Sequence, residues 1–163
     1  MDEQTDVFRK AFDAAARILA RRDHTRYEIR RKLKQRKFPA AVVDAVIAEC
    51  ERLRYIDDDE TARFYLKELV RRGFGAERIR FEMKKKGLSG DHIDRLIMAY
   101  AGSAEEAAAA EAQFAKCLVR YAREADPLKR KAKLYRYMAS RGFSTDMIRE
   151  LMAARLNGDG YSG

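Results

Sequence analysis

The sequence contains three copies of a unit of about fifty residues, and this internal repeat limits the chain to folds built from small stacked units. With offsets of 50 and then 55 residues, apolar positions of each unit fall on those of the next: Ile29, Ile79 and Leu134 align, and so do Leu33, Met83 and Met138. One such unit alone would be only marginally stable. We therefore expect each unit to rest on the next in an elongated, curved array.

Each unit has the pattern of three helices. Apolar residues recur at spacings of three and four, helix-favouring residues predominate, and the chain contains only two prolines. The sequence therefore predicts an all-α fold, a tandem array of three three-helix repeats of right-handed helices. The predicted boundaries are 1–56, 57–102 and 103–156, followed by a disordered tail over 157–163.

Capping residues predict where the helices begin and end. Two helix starts carry the Ser/Thr-x-x-Glu capping-box pattern, Thr25 to Glu28, opening a helix over about 26–36, and Ser103 to Glu106. Pro39 fits the first turn of the helix that follows the first box. Glycines able to adopt the left-handed conformation predict three helix ends, at Gly73, Gly87 and Gly142. Lys37 stands where analogy with Gly87 requires glycine, so that helix end is expected to differ.

The middle helix of each unit is strongly basic. Charged residues are 37% of the chain, against an average of about 25%, and the formal net charge is +9. This balance favours a polyanionic partner, such as nucleic acid, a nucleoprotein or an acidic membrane surface, although a solvated helix face is the alternative. The candidate partner-binding residues lie in the first two units: Arg26, Arg30, Arg31, Lys34, Arg71, Arg72, Arg78, Arg80, Phe81, Lys84, Lys85 and Lys86.

Phe81 is the one aromatic residue among these candidates. At about 100° per residue it falls on the opposite side of its helix from Ile79 and Met83. Such a residue suits stacking on a nucleic-acid base or insertion into a protein partner. Packing against a neighbouring repeat explains it equally well, and the sequence leaves both interpretations open.

The sequence offers no constellation typical of an enzyme. It lacks the GxxxxGK[ST] and GxGxxG phosphate-binding motifs and any nucleophile arrangement of the Ser-His-Asp kind. The acidic run at 57–60 is typical of a helix start rather than of a calcium loop. His24 and His92 are isolated and expected to be exposed. We therefore predict no catalytic residue, no metal site and no cofactor.

Several features favour a cytoplasmic protein without a membrane partner, and we expect a monomer. Cys50 and Cys117 lie among apolar helical neighbours, which predicts two buried free thiols in a reducing compartment. The acidic stretch MDEQTDVFRK lacks the apolar core of a signal peptide. No apolar run approaches the roughly 20 residues that span a bilayer.

The chain resembles the RecX family, bacterial regulators of the recombinase RecA, over roughly residues 14–155. The resemblance is carried by "LARRDHTRYEIRRKLKQRKF" at 19–38 and by "LRYIDDDETARFYLKELVRRGFGAERIRFEMKKKGLS" at 53–89. The most specific part is an ordered set after the apolar-Asp-Asp step: Ala62, Gly73, Gly75, Arg78-Ile79, Glu82 and Lys86-Gly87. Thr25 stands where the family often has serine, and Met83 where leucine is usual.

The resemblance implies a regulator of DNA repair and of the SOS response. Such proteins bind along the groove of the RecA filament on single-stranded DNA and restrain its strand exchange, ATPase and coprotease activities. The alternative is a basic helical module that binds single- or double-stranded DNA directly, although no helix carries the Asn/Gln/Arg set that recognises base edges. A helical scaffold for an unrelated acidic protein fits the composition but not the motif order.

Overall fold

A computed structural model of the chain describes residues 3–156, and every regular element in that range is an α-helix. The helices are α1 (Glu3–Leu19), α2 (Arg26–Gln35), α3 (Ala40–Arg52), α4 (Asp58–Arg71), α5 (Ala76–Lys85), α6 (Asp91–Tyr100), α7 (Ala104–Arg120), α8 (Pro127–Ser140) and α9 (Thr145–Leu156). The all-α fold with three helices in each repeat is confirmed. The tail predicted over 157–163 lies outside the described residues. None of the described helices is long and apolar enough to cross a membrane.

The aligned apolar positions of the three repeats form the cores. Ile29, Ile79 and Leu134 have no exposed surface, and neither have Leu33, Met83 and Met138. In the first repeat these residues of α2 join apolar side chains of α1 and α3 in one cluster, and in the third those of α8 join side chains of α7 and α9. Burial of each such side chain contributes about 1.5–3 kcal/mol. The apolar positions that align between repeats therefore stabilise the packing of the middle helices.

The chain divides into two compact units whose limits differ from those of the repeats. One unit runs to Phe64 and includes Met83–Ile93, and the other comprises Tyr65–Glu82 and the residues from Asp94 onward. Helices α4, α5 and α6 of the second repeat are therefore each divided between the units. The repeat boundaries expected at residues 57 and 103 stay predictions.

The capping box predicted at the start of α2 is confirmed. The Glu28 N–H donates to Thr25 Oγ1 at 3.1 Å, and the Thr25 N–H donates to Glu28 Oε2 at 3.0 Å. The prediction for Pro39 is wrong by one position, because α3 begins at Ala40 and Pro39 precedes it with extended backbone angles. Proline at this position still removes one amide that the helix would leave without a partner.

The box predicted at the start of α7 forms only in part. Ser103 Oγ accepts from the Glu106 N–H at 3.1 Å, but the Ser103 N–H donates to the carbonyl of Tyr100. The Glu106 carboxylate instead accepts from the N–H groups of Ala76 and Gly102, each at 2.7 Å. The almost fully buried Glu106 therefore satisfies an amide at the start of α5, thirty residues earlier in the chain.

The helix end at Lys37 has the same geometry as the one at Gly87, contrary to expectation. Lys37 has a φ of 63° and Gly87 one of 72°. The Lys37 N–H donates to the Lys34 carbonyl at 2.9 Å, as that of Gly87 donates to the Lys84 carbonyl. The hydrogen bonds that close the helix thus hold lysine in a conformation that strains a residue with a Cβ.

We expect Lys37→Gly to raise the free energy of unfolding by about 0.5–1 kcal/mol, because removal of the Cβ strain outweighs the added entropy of glycine in the unfolded chain. Urea denaturation measures the effect. Arg36→Gly is the matched control, since Arg36 has a φ of −84° and gains nothing from glycine. Equal stability changes in the two variants would show that position 37 is not strained.

Candidate functional site

Helix α5 separates a buried apolar side from an exposed basic one. Ile79 and Met83 are fully buried, whereas Phe81 keeps 54% of its surface exposed. Arg80 and Lys84 are also exposed. The predicted opposition of Phe81 to the apolar pair is confirmed, and its exposure favours contact with a partner over packing within a core.

Ion pairs occupy part of the basic side of α2 and of α5. One of these pairs occurs at the same position in the first and in the second repeat. Arg30 Nη2 lies 3.0 Å from Asp44 Oδ1. Fifty residues on, Arg80 Nη1 lies 3.2 Å from Asp94 Oδ1. Because these side chains are exposed, each pair contributes at most about 1 kcal/mol. An arginine has five N–H donors, so both guanidinium groups keep donors for a partner.

The other predicted cations differ in the contacts that they make with the rest of the chain. Arg26 pairs with Glu51, and Arg78 with Glu82 at 2.8 Å. The Lys86 carbonyl accepts a hydrogen bond from Thr25 Oγ1 at 2.7 Å. Lys85 is exposed, and Arg72 lies 3.9 Å from Glu68. Four candidates make no ion pair within residues 3–156: Arg31, Lys34, Arg71 and Lys84.

Tyr27 is a candidate that the sequence reasoning missed. Together with Arg30, Arg31, Lys34 and Gln35 it lines an open depression of about 430 Å³ on α2. The guanidinium carbon of Arg31 lies 6.0 Å from the centre of the tyrosine ring, which is 45% exposed. The available signal was the spacing of four residues between Tyr27 and Arg31 on a helix with few other apolar residues. An aromatic ring among cations thus occurs on α2 as well as on α5.

Both histidines are less exposed than predicted. His24 is 3% exposed, with Nδ1 2.8 Å from the Arg22 carbonyl oxygen and Nε2 3.1 Å from Lys32 Nζ. Because an ammonium group only donates, Nε2 accepts and the proton is on Nδ1. Burial lowers the pKa of His24, in agreement with a neutral ring. His92 is half-buried, with Nε2 3.9 Å from Asp59 Oδ1.

The remaining groups with reactive potential have structural surroundings. Cys50 and Cys117 are buried free thiols, as predicted. Burial raises the pKa of the Cys50 thiol and raises that of Cys117 to about 11, so both are protonated at neutral pH. Within the described range, no three His, Cys, Asp or Glu side chains are grouped so that they could hold a metal ion.

Comparison with known families accounts for the repeats one by one. Models of the first, second and third three-helix domains of RecX match residues 11–50, 57–97 and 104–152. The chain belongs to the RecX family. Its helices α1–α3, α4–α6 and α7–α9 correspond to the three domains in order.

Individual members of the RecX family extend over almost the same length. The chain is 37% identical over 145 residues to "Regulatory protein RecX" of Chlorobium phaeobacteroides (strain BS1), covering 88% of this chain and 92% of that protein. It is 30% identical over 143 residues to the protein of the same name from Haemophilus influenzae (strain PittEE), covering 87% and 92%. These relatives are named as regulatory proteins, not as enzymes.

Solved RecX structures share the fold. The crystal structure of RecX from Lactobacillus salivarius superposes with a TM-score of 0.79 at 20% identity, covering 92% of this chain and 97% of that one. A second crystal structure, of regulatory protein RecX, gives a TM-score of 0.80 at 21% identity, covering 98% and 79%. The candidate cations of α2 and α5 therefore lie on the middle helices of the first two RecX domains.

Proposed function

We propose that the protein binds the RecA filament assembled on single-stranded DNA and restrains its strand exchange, ATPase and coprotease activities. The observation that carries the proposal is the exposed basic side of α5, with Phe81 among its cations. Membership of a family of regulatory proteins supports it. A filament of protein and DNA presents acidic side chains and phosphates together, and cations that replace its counterions gain affinity from their release.

An exposed aromatic ring among the cations favours the filament over naked duplex DNA. Lysine and arginine contact phosphates without recognising sequence. Phe81 adds an apolar contact, which a protein surface or an unstacked base in the filament offers and a duplex backbone does not. The resulting contact combines electrostatic attraction with burial of one large apolar group.

The test compares binding to naked single-stranded DNA, to free RecA and to the assembled filament under one set of conditions. We expect the tightest binding to the filament. We also expect the DNA-dependent ATPase of RecA to fall as the protein is added, while the protein alone hydrolyses no ATP. Equal affinity for the filament and for naked DNA would contradict the proposal.

Direct binding to nucleic acid is the second candidate function. The depression on α2 supports it, because Tyr27, Arg31 and Lys34 combine a ring on which a base can stack with cations that contact the backbone. In the same comparison, this function requires naked DNA to bind as tightly as the filament, and the ATPase of RecA to fall only as DNA is sequestered.

We expect Phe81→Ala to weaken filament binding by about 1–3 kcal/mol while leaving the free energy of unfolding nearly unchanged. The reason is that the ring is more than half exposed and fills no core. Phe64→Ala is the matched control, since Phe64 is 58% exposed but lies on α4, outside the basic helices. A loss of stability with unchanged affinity would assign Phe81 to packing between repeats.

A further inference from the structure

Three arginines surround one buried aromatic ring. The guanidinium carbons of Arg141, Arg72 and Arg78 lie 4.3, 5.0 and 5.5 Å from the centre of the Phe74 ring. Phe74 is only 7% exposed. Each arginine comes from a different place in the chain: the residue after α4, the first turns of α5, and the residue after α8. We call these three residues the arginine cluster.

Backbone contacts between two turns hold the cluster together. The Gly75 N–H donates to the Arg141 carbonyl at 2.9 Å, and the Glu77 N–H donates to the Gly142 carbonyl at 3.1 Å. Gly142 has a φ of 89°, and a Cβ there would lie 2.2 Å from the backbone nitrogen of Arg78. The turn after α8 therefore lies directly on the start of α5, and the arginines converge because the main chains touch.

The cluster contains hydrogen-bond donors that the described residues do not satisfy. Arg78 Nε and Arg141 Nε are buried and have no hydrogen-bond partner within residues 3–156. Arg141 also donates through Nη2 to the carbonyls of Arg72 and Gly73. A buried donor without a partner destabilises the fold, and does so more strongly when the group is charged.

Carboxylates pair with two of the three arginines of the cluster. Arg78 pairs with Glu82 at 2.8 Å, and Arg72 is 3.9 Å from Glu68. No carboxylate is paired with Arg141 among the described residues. Burial lowers the pKa of Arg141, and the charges of Arg72 and Arg78 lower it further. The cluster thus keeps three like charges together with incomplete compensation.

The equivalent contact in the other unit shows how the fold neutralises the same arrangement. With the repeat offsets, Arg22 corresponds to Arg72, Glu28 to Arg78, His24 to Phe74, Thr25 to Gly75 and Lys86 to Arg141. There the turns are also in contact, since Thr25 Oγ1 donates to the Lys86 carbonyl. However, Arg22 pairs with Glu28 at 3.0 Å. At the contact made by Arg141, Arg78 stands in place of this carboxylate.

We propose that the arginine cluster binds a phosphate group. Guanidinium groups are planar, remain charged and donate in pairs, which suits the tetrahedral array of phosphate oxygens. A phosphate would supply the negative charge that Glu28 supplies in the equivalent contact, and would accept from the donors of Arg78 and Arg141. It could come from a free phosphate or phosphomonoester, or from the backbone of a nucleic acid. The proposal does not depend on binding to RecA.

The direct test observes the arginine Nε–H groups by NMR in ¹⁵N-labelled protein. Inorganic phosphate is added at constant ionic strength, with chloride as the balancing salt, and a short oligodeoxythymidine is added in a second titration. We expect saturable shifts of the Arg78 and Arg141 Nε–H signals with at least one of the two ligands. Shifts with inorganic phosphate alone identify a free phosphate or monoester site, and shifts with the oligonucleotide identify the nucleic-acid backbone.

Substitutions test whether the NMR shifts report binding at the arginine cluster. Arg141→Gln is expected to weaken affinity for the active ligand at least about tenfold, as loss of a charge-assisted hydrogen-bonding group does. Arg149→Gln removes the same charge from an exposed position on α9 and should bind as the wild type does. If Arg141→Gln does not fold, Arg72→Gln replaces it, since that side chain is 55% exposed. Absence of saturable shifts with both ligands, or wild-type affinity in the folded variant, would overturn the proposal.

Discussion

Gly87→Val is expected to lower the free energy of unfolding by about 3 kcal/mol or more. Gly87 has a φ of 72°, a conformation that is strained by about 1–2 kcal/mol in a residue with a Cβ. A Cβ at this position would also lie 2.3 Å from Tyr27 Cβ and 2.5 Å from its Cγ. Because Tyr27 Cβ is attached directly to the backbone of α2, a rotamer change cannot remove the overlap, and the helices must move apart.

Gly102→Val separates the two causes. Gly102 has a φ of 71°, but a Cβ there would meet nothing within 4 Å. We therefore expect this control to lose only the conformational term, about 1–2 kcal/mol. Urea denaturation measures the free energy of unfolding of both variants, and the difference between their losses is the cost of the contact with Tyr27. Equal losses would mean that α2 yields at this contact, and an unchanged melting temperature for Gly87→Val would mean that the helix end is misplaced.

Reversal of three cations on α5, Arg80, Lys84 and Lys85, to glutamate is expected to weaken filament binding at least about a hundredfold at low salt. Each substitution removes an attraction to a polyanion and adds a repulsion, whose effects fall as salt screens them. Helicity should remain nearly intact, and the free energy of unfolding should fall by no more than about 1–2 kcal/mol, because the side chains are exposed and the Arg80–Asp94 pair contributes at most about 1 kcal/mol. Filament dissociation constants at two salt concentrations, with circular dichroism melts, measure both effects.

The matched control reverses three exposed cations outside the candidate helices, Arg17 on α1, Lys116 on α7 and Arg149 on α9. Both triple variants have the same net charge, so a general effect of charge would weaken them equally. A local binding surface requires the α5 variant to lose much more affinity than the control. Wild-type affinity of the α5 variant at both salt concentrations would show that α5 is only a solvated helix.

The sequence predicted those parts of the fold that depend on spacing within one helix. Ile79 and Met83 lie four residues apart, so their common burial followed from helical geometry alone. Glu106 could not be assigned in the same way, because its carboxylate accepts from Ala76, which only the fold brings near. His24 was misjudged for a similar reason: its partner Lys32 lies eight residues away, on the next helix.

The candidate site was predictable in composition but not in pairing. A count of charges identified the cations of α2 and α5, yet nothing in the local sequence placed Asp44 beside Arg30 or Asp94 beside Arg80. Arg141 belongs to the third unit, from which no candidate was taken, and its neighbours lie about seventy residues earlier in the chain. Comparison of the repeats position by position could have found it, since it aligns with Lys86.

The burial of both thiols has a practical consequence for spectroscopy. Maleimides and similar reagents react with thiolates, and Cys50 and Cys117 are neither accessible nor ionised near neutral pH. A cysteine introduced at an exposed position such as Leu128, 79% of whose surface is accessible, is therefore the preferred point of attachment in the native background. Fluorophores for distance measurements can be placed one at a time on a chain whose own cysteines stay in its cores.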